Sequence, residues 1–302
     1  MPAAMRDEQT KGLLLVLLST VAYGAMPIFG KVAYAAGVTA APLLAWRFVI
    51  ATLIFALIAT PKVKGLALRD RFRLWGIGIV FVVNALCYFK ALETIPASTA
   101  SVLVYTYPVI VTVLSGLLGF DRFTVRELLA AVMAFAGCAL TAGAAQGGGV
   151  GVWLVLISAF LYSVYMLLGS RFAAHLPAEA TASHTAQAAA AFCIPFALLQ
   201  GTVWLPPSTK AWGSVIVIAA VCTVVGLRAL RSGMARIGAV RAAVLSSLEV
   251  VVTMALAAAF LGEHLGPRKL GGAALILGAV VFQNLGALRR LARRGGGVPS
   301  AS

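Results

Sequence analysis

Ten runs of predominantly apolar residues, most of them close to the ~20 residues that one helix needs to cross a bilayer, dominate this chain. They are Leu13–Ala35, Ala40–Thr60, Leu74–Leu92, Ser98–Gly119, Arg126–Ala145, Val150–Leu168, Thr181–Trp204, Trp212–Leu230, Arg241–Leu261 and Leu270–Leu288. None shows the apolar–polar alternation of a barrel strand, so each is expected to be a helix. The first run exceeds the h-region of a cleaved signal peptide and no small-residue cleavage motif follows it cleanly, so it is expected as a retained span. Apolar residues make up 61% of the 302 and charged residues only 11%, where a soluble domain has about 25% charged. Polar surface that scarce cannot cover a soluble core, which excludes a soluble globular enzyme. The expected fold class is an all-α polytopic membrane protein.

The formal charge is +15, from 24 Lys+Arg against 9 Asp+Glu. Its placement explains it. With the N-terminus inside, one set of loops holds Arg6, Lys11, Lys62, Lys64, Arg69, Arg71, Arg73, Arg122, Arg126, Arg171, Arg231, Arg236, Arg241, Arg289, Arg290, Arg293 and Arg294. The opposite set holds only Lys90, Lys210, Arg268 and Lys269. That bias predicts both termini on the cytoplasmic side of a cell's inner membrane and an even number of spans. The charge is topology, and no nucleic acid partner is expected.

Enzyme and cofactor chemistry find no support in the motifs. Cys87, Cys138, Cys193 and Cys222 lie inside apolar runs without CxxC spacing and read as small buried hydrophobes. His175, His184 and His264 are dispersed and have no metal-ligand spacing. Gly147-Gly148-Gly149 reads as a linker, with no phosphate loop around it. No metal, cofactor or catalytic residue is expected.

The chain also resembles itself. Gly12–Ala33 laid on Gly151–Phe172 pairs Gly12/Gly151, Leu15/Leu154, Ser19/Ser158, Tyr23/Tyr162 and Gly30/Gly169, among others. Ala91–Val132 laid on Gly233–Ala274 gives ten identities in 42, with Asp121 falling on Glu263. Two matches in order imply a duplication: a first repeat over 1–146, a second over 150–290, and a disordered cytoplasmic tail over 291–302. Each half has five spans, so the second enters the bilayer from the opposite side. Inverted repeats of this kind build many secondary transporters, whose substrate sites lie near the midplane between the halves.

The phrase Ala91-Leu92-Glu93-Thr94-Ile95-Pro96-Ala97-Ser98-Thr99-Ala100, followed by Tyr107-Pro108 and Gly119-Phe120-Asp121-Arg122, resembles the first-repeat signature of the EamA family in the drug/metabolite transporter superfamily. Its second-half counterpart runs Ala242–Glu249, then Leu261-Gly262-Glu263-His264-Leu265 and Leu270–Leu277. Lys31 and Arg47 also match the family's habit. The resemblance spans Gly12 to Leu288. It implies ten helices, an inverted repeat and export or exchange of small metabolites such as amino acids. Two departures stand out: Val250 replaces a usual proline after Leu248-Glu249, and helix eight ends Gly226-Leu227-Arg228-Ala229-Leu230-Arg231 without the usual aromatic residues.

The substrate-path candidates are Tyr23, Arg47, Asn84, Tyr88, Tyr105, Tyr107, Tyr162, Ser246 and Glu249. Glu249 is a carboxylate eight residues into a span, where an unpaired charge costs several kcal/mol. It reads either as a proton-coupling or ammonium site or as a structural ion pair. Arg47 lies too deep to snorkel easily and meets either Glu249 or a substrate carboxylate. The tyrosines, Tyr165 among them, and Asn84 place hydrogen-bonding groups away from the interfacial belt, lining a polar cavity or packing helices. Tyr105 and Tyr107 are expected on different sides of helix four. Ser246 and Ser247 read as path or packing hydroxyls. Pro27, Pro108 and Pro195 are expected to interrupt helices one, four and seven; Pro27, with Gly24 and Gly30 beside it, and Pro108 are the hinge candidates.

The expected partners are a small-molecule metabolite and the lipid bilayer, with protons and a homodimeric second copy left open. Uptake, or export of a drug-like cation, is the alternative within transport. A non-transporting membrane scaffold is the alternative from another class.

Overall fold

Inside a bilayer every backbone group must find its partner within the protein, so each apolar run closes its own hydrogen bonds as a helix. The computed structural model describes residues 3–58, 66–120, 125–143, 149–173, 176–201 and 205–295, and among them all regular structure is helical. The expectations on Lys62, Lys64, Asp121, Arg122, Gly147, Gly148 and His175 lie outside the described residues.

Ten helices follow in order. They are α1 (Ala3–Ala35), α2 (Ala40–Ile58) and α3 (Leu68–Leu92); α4 in two pieces, α4a (Ala97–Val104) and α4b (Tyr107–Leu117); and α5 (Val125–Gly143). Then come α6 (Gly149–Phe172) and α7 (Ala178–Leu199). α8 is α-helical over Thr209–Ile216, π-helical over Val217–Val225, and α-helical again as α8b (Gly226–Ile237). α9 is also split, into α9a (Ala239–Ser246) and α9b (Glu249–Leu261), and α10 (Pro267–Gly295) closes the chain. α10 thus runs into the segment expected as a tail; 296–302 lie outside the described residues. Seven helical segments among the described residues are long and apolar enough to cross a membrane, with shorter apolar ones at Leu128–Gly143 and Glu249–Leu261. The chain is a multi-pass membrane protein.

Its surface is the reverse of a soluble protein's. Leu57 and Leu199 are 86% and 87% exposed, and Phe135, Leu117 and Leu14 also point outward, as lipid-facing side chains do. The interior is filled by small residues that let helices approach closely, such as Ala40, Ala45, Ala91, Ala100, Ala159 and Ala189. α1 packs on α8b and α9b, α3 on α6 and α7, α2 on α7, and α5 on α10. The closest of these seams has no room for side chains: a Cβ on Gly137 would stand 2.7 Å from the Gly272 carbonyl.

Two of the three expected helix interruptions do not occur. α1 runs unbroken through Pro27 and α7 through Pro195, whereas α4 breaks after Val104 and Pro108 stands in the first turn of its second piece. A single missing N–H is tolerated where neighbouring helices hold the segment on both sides. α9 breaks without any proline.

Candidate functional site

The two breaks gather the polar residues. In α4, Pro108 opens the second piece; it has no N–H to give, and its ring crowds the carbonyl one turn earlier. In α9 the Val250 N–H bonds to the Ser247 carbonyl at 3.4 Å, which leaves the Ser246 carbonyl free to accept from the Tyr105 hydroxyl. The break therefore sets Glu249 in the first turn of α9b, not eight residues into a continuous helix. The positive end of the helix dipole favours a carboxylate at that place.

Glu249 Oε2 stands 3.5 Å from the Tyr105 hydroxyl. From Tyr105 a file of rings leads away: 5.6 Å to Tyr107, 4.7 Å on to Tyr162, 5.7 Å to Tyr165, and 5.0 Å to Phe81. Tyr105 and Tyr107 were expected on different sides of one helix. The break between them removes that constraint and brings their rings into edge contact. Tyr23 on α1 and Tyr88 on α3 lie in the field of the same carboxylate. α1 reaches this point because residue 24 is glycine. A Cβ there would stand 2.8 Å from Val252 Cγ1, and the Gly24 carbonyl accepts from the Thr253 hydroxyl at 2.9 Å.

Arg47 holds a separate place on α2. It is only 5% exposed, and its guanidinium carbon lies 4.9 Å from the Phe48 ring and 5.5 Å from Phe89. Its Nε donates to the Thr223 hydroxyl at 3.0 Å. Cys193 and Cys222, both fully buried, lie beside it. Among the described residues no ion pair joins Arg47 to Glu249, and Tyr23 feels both charges. Arg47 is buried and Glu249 half-buried, and among the described residues neither has the other as an ion-pair partner.

Other candidates fall elsewhere. Asn84 accepts a hydrogen bond from the Ser158 hydroxyl at 2.6 Å, which ties α3 to α6. Ser246 contributes its backbone carbonyl. Pro27 is buried within α1.

Several contributors were not anticipated. Thr223, with the π-helical turn that carries it, had no signal in a run of apolar residues. Lys269, counted above as a loop cation, is only 6% exposed; its Nζ donates to the Ser98 hydroxyl at 2.9 Å and to the His264 carbonyl at 3.3 Å. Glu263 accepts from the Ala97 N–H at 2.6 Å and the Ser98 N–H at 3.0 Å, and from the Ser98 hydroxyl. A carboxylate from the α9–α10 turn thereby caps α4a. The pairing of Asp121 with Glu263 in the self-alignment and the place of Glu263 in the second-half signature were the hints that this carboxylate mattered. At the far end of α4b and α6, a cavity of about 350 Å³ is lined by Val111, Thr112, Ser115, Phe120, Ser170 and Arg171.

A protein described as the uncharacterized transporter YcbK of Bacillus subtilis is 26% identical over 274 residues, covering 86% of this chain and 88% of that protein. The aromatic amino acid exporter YddG of Ancylobacter novellus is 28% identical over 160 residues, 50% of this chain and 54% of that protein. A solved crystal structure superposes with a TM-score of 0.67 at 21% identity, over 95% of this chain and 99% of that one, and so shares the fold. The model of the EamA-like transporter family matches twice, over residues 10–143 and 149–285. With nearly its whole length matched in this way, the chain belongs to the EamA-like transporter family.

Proposed function

We propose that this transporter is a secondary-active carrier that exports or exchanges a small polar metabolite, an amino acid or close relative, by alternating access. The observation that carries the reading is a pair of opposite charges within the spans, buried Arg47 and half-buried Glu249, with no ion pair between them among the described residues. A charge in a span without a counterion marks a functional site. Two such charges of opposite sign suit a zwitterion: Glu249 takes the ammonium, and the Arg47 fork takes the carboxylate. Tyr88, Tyr105, Tyr107 and Tyr162 line the path between them and offer ring faces to an ammonium or an aromatic side chain. The name of the Ancylobacter relative supports both the amino acid and the outward direction.

The moving parts are two inverted repeats, 1–146 and 150–290, in the inner membrane with both termini cytoplasmic. Support comes from helix boundaries. α4a and α9a, α4b and α9b, and α5 and α10 begin at 97 and 239, 107 and 249, and 125 and 267, a constant separation. Neighbours support it too: α3 on α6 and α1 on α8b are the same contact with the halves exchanged. Pro108 beside the α4 break, and Pro27 in α1, are the hinge positions. Glu249 also carries the coupling proton, since no cation holds it permanently as an anion.

Counterflow in proteoliposomes tests the reading. Vesicles loaded with unlabelled L-phenylalanine should accumulate the labelled compound saturably, and other neutral amino acids should compete. Absence of saturable counterflow with every amino acid of such a panel would overturn it, and uptake of an organic cation instead would identify the path as a cation route.

A further inference from the structure

α8 departs from α-helical geometry over nine residues, Val217–Val225, where it winds as a π-helix. Segments of this kind are rare and concentrate at functional sites. In this one, the Thr223 hydroxyl donates to the Ile218 carbonyl, five residues back, at 2.8 Å. A hydroxyl has one hydrogen. With that hydrogen committed to Ile218, a lone pair of Thr223 Oγ1 is left facing outward, and it receives the Arg47 Nε–H at 3.0 Å. The π-turn therefore fixes the hydroxyl's direction, and the hydroxyl fixes the plane of the guanidinium.

Among the described residues no second hydrogen bond to the Arg47 side chain accompanies this one. Ring faces of Phe48 and Phe89 flank the group, and Cys193 and Cys222 fill the space beside it. Of the five guanidinium donors, Nε is the one that the described residues engage. The fork formed by the two terminal nitrogens, the edge that grips a carboxylate bidentately, is the edge left over.

We propose that Thr223 is the positioning residue for Arg47, held by the π-helical turn so that the terminal nitrogens of Arg47 are presented to a substrate carboxylate. This rests on the reading of Arg47 as the carboxylate pole. It adds the residue that sets the specificity of that pole for a carboxylate over its neutral amide. A purely structural Thr223 would affect every substrate equally.

The experiment compares L-phenylalanine with L-phenylalaninamide in counterflow, using wild type, Thr223→Val and Thr223→Ser. Valine keeps the shape and loses the acceptor; serine keeps the acceptor. Thr223→Val should raise KM for L-phenylalanine about tenfold, the scale of one misdirected charge-assisted hydrogen bond, and leave KM for the amide within about twofold of wild type. Thr223→Ser should restore the wild-type preference. If valine and serine variants alter both compounds alike, or if valine leaves the carboxylate preference intact, the positioning role is overturned. If wild type transports the acid and the amide equally well, the inference falls while the transport function stands. If wild type shows saturable counterflow with no amino acid of the panel, both fall.

Discussion

A carboxylate within a membrane-spanning segment needs a cation, a donor or a proton. The Tyr105 hydroxyl lies 3.5 Å from Glu249 Oε2 but gives its one hydrogen to the Ser246 carbonyl, and Glu249 opens α9b, at the positive end of that helix's dipole. In the proposed cycle it exchanges its proton for a substrate ammonium. Glu249→Gln keeps the hydrogen-bonding shape and removes both charge and proton. Flux driven by an imposed pH gradient should fall to the level of protein-free vesicles, while KM in counterflow at constant pH rises about tenfold. Gradient-driven flux that survives the substitution would take Glu249 out of the coupling. Tyr105→Phe should be milder. It leaves the Ser246 carbonyl without its donor, a loss of about 1–3 kcal/mol, which a lowered thermal midpoint in detergent with a largely retained maximal rate would report.

Helix breaks decide which residues meet, and they divide what the sequence reveals from what it hides. Pro108 marks the α4 break openly, because a missing N–H and a ring clash act locally. The α9 break carries no such residue; the proline usual in the family is Val250 here. What stabilises the break is distant in sequence: the Tyr105 hydroxyl on the freed Ser246 carbonyl, and α1 pressed against α9b through Gly24. The ten helices and the tyrosine set were therefore legible from period and composition, whereas the Tyr105–Tyr107 contact and Thr223 were not. Each of those depends on a local departure from regular helix that only tertiary contacts select. Glu263 belongs with the hidden class, a loop carboxylate by sequence that caps α4a from the other half of the chain. Glu263→Ala should cost about 1–2 kcal/mol of stability, the value of a lost cap, and Glu263→Gln less. The same thermal measurement on the two variants checks the order; equal midpoints for wild type and Glu263→Ala would show that the cap carries no weight. At Gly24 the prediction is steric. Gly24→Ala puts a methyl 2.8 Å from Val252 Cγ1, so α1 and α9b must part by a few tenths of an ångström and the midpoint should drop by the equivalent of about 1–3 kcal/mol.

At the scale of the whole molecule the question is which way the bundle sits, because alternating access has a direction only once the two faces are assigned. The helix boundaries and the loop charges bear on this independently. A constant separation between α4a and α9a, and between α5 and α10, relates the halves to each other without orienting either. The basic segments predict an orientation for the pair. Arg69, Arg71 and Arg73 lie in the first turns of α3 and Arg231 and Arg236 in the last turns of α8b, while the turn before α2 carries no basic residue and the start of α8 carries only Lys210. In the proposed repeat α3 and α8 are corresponding helices, and their basic ends lie at opposite ends of the two. That arrangement puts both sets on one face of the membrane only if the second half is inverted. A fluorescent protein fused after Gly295 should therefore fluoresce in the cytoplasm. Alkaline phosphatase fused within Leu205–Ser208 should be active, and the same enzyme fused at Gly238 should be inactive. The reverse pattern would put both termini outside. Equal activity at Ser208 and Gly238 would mean that α8 does not cross, and a repeat of five spans would then be impossible.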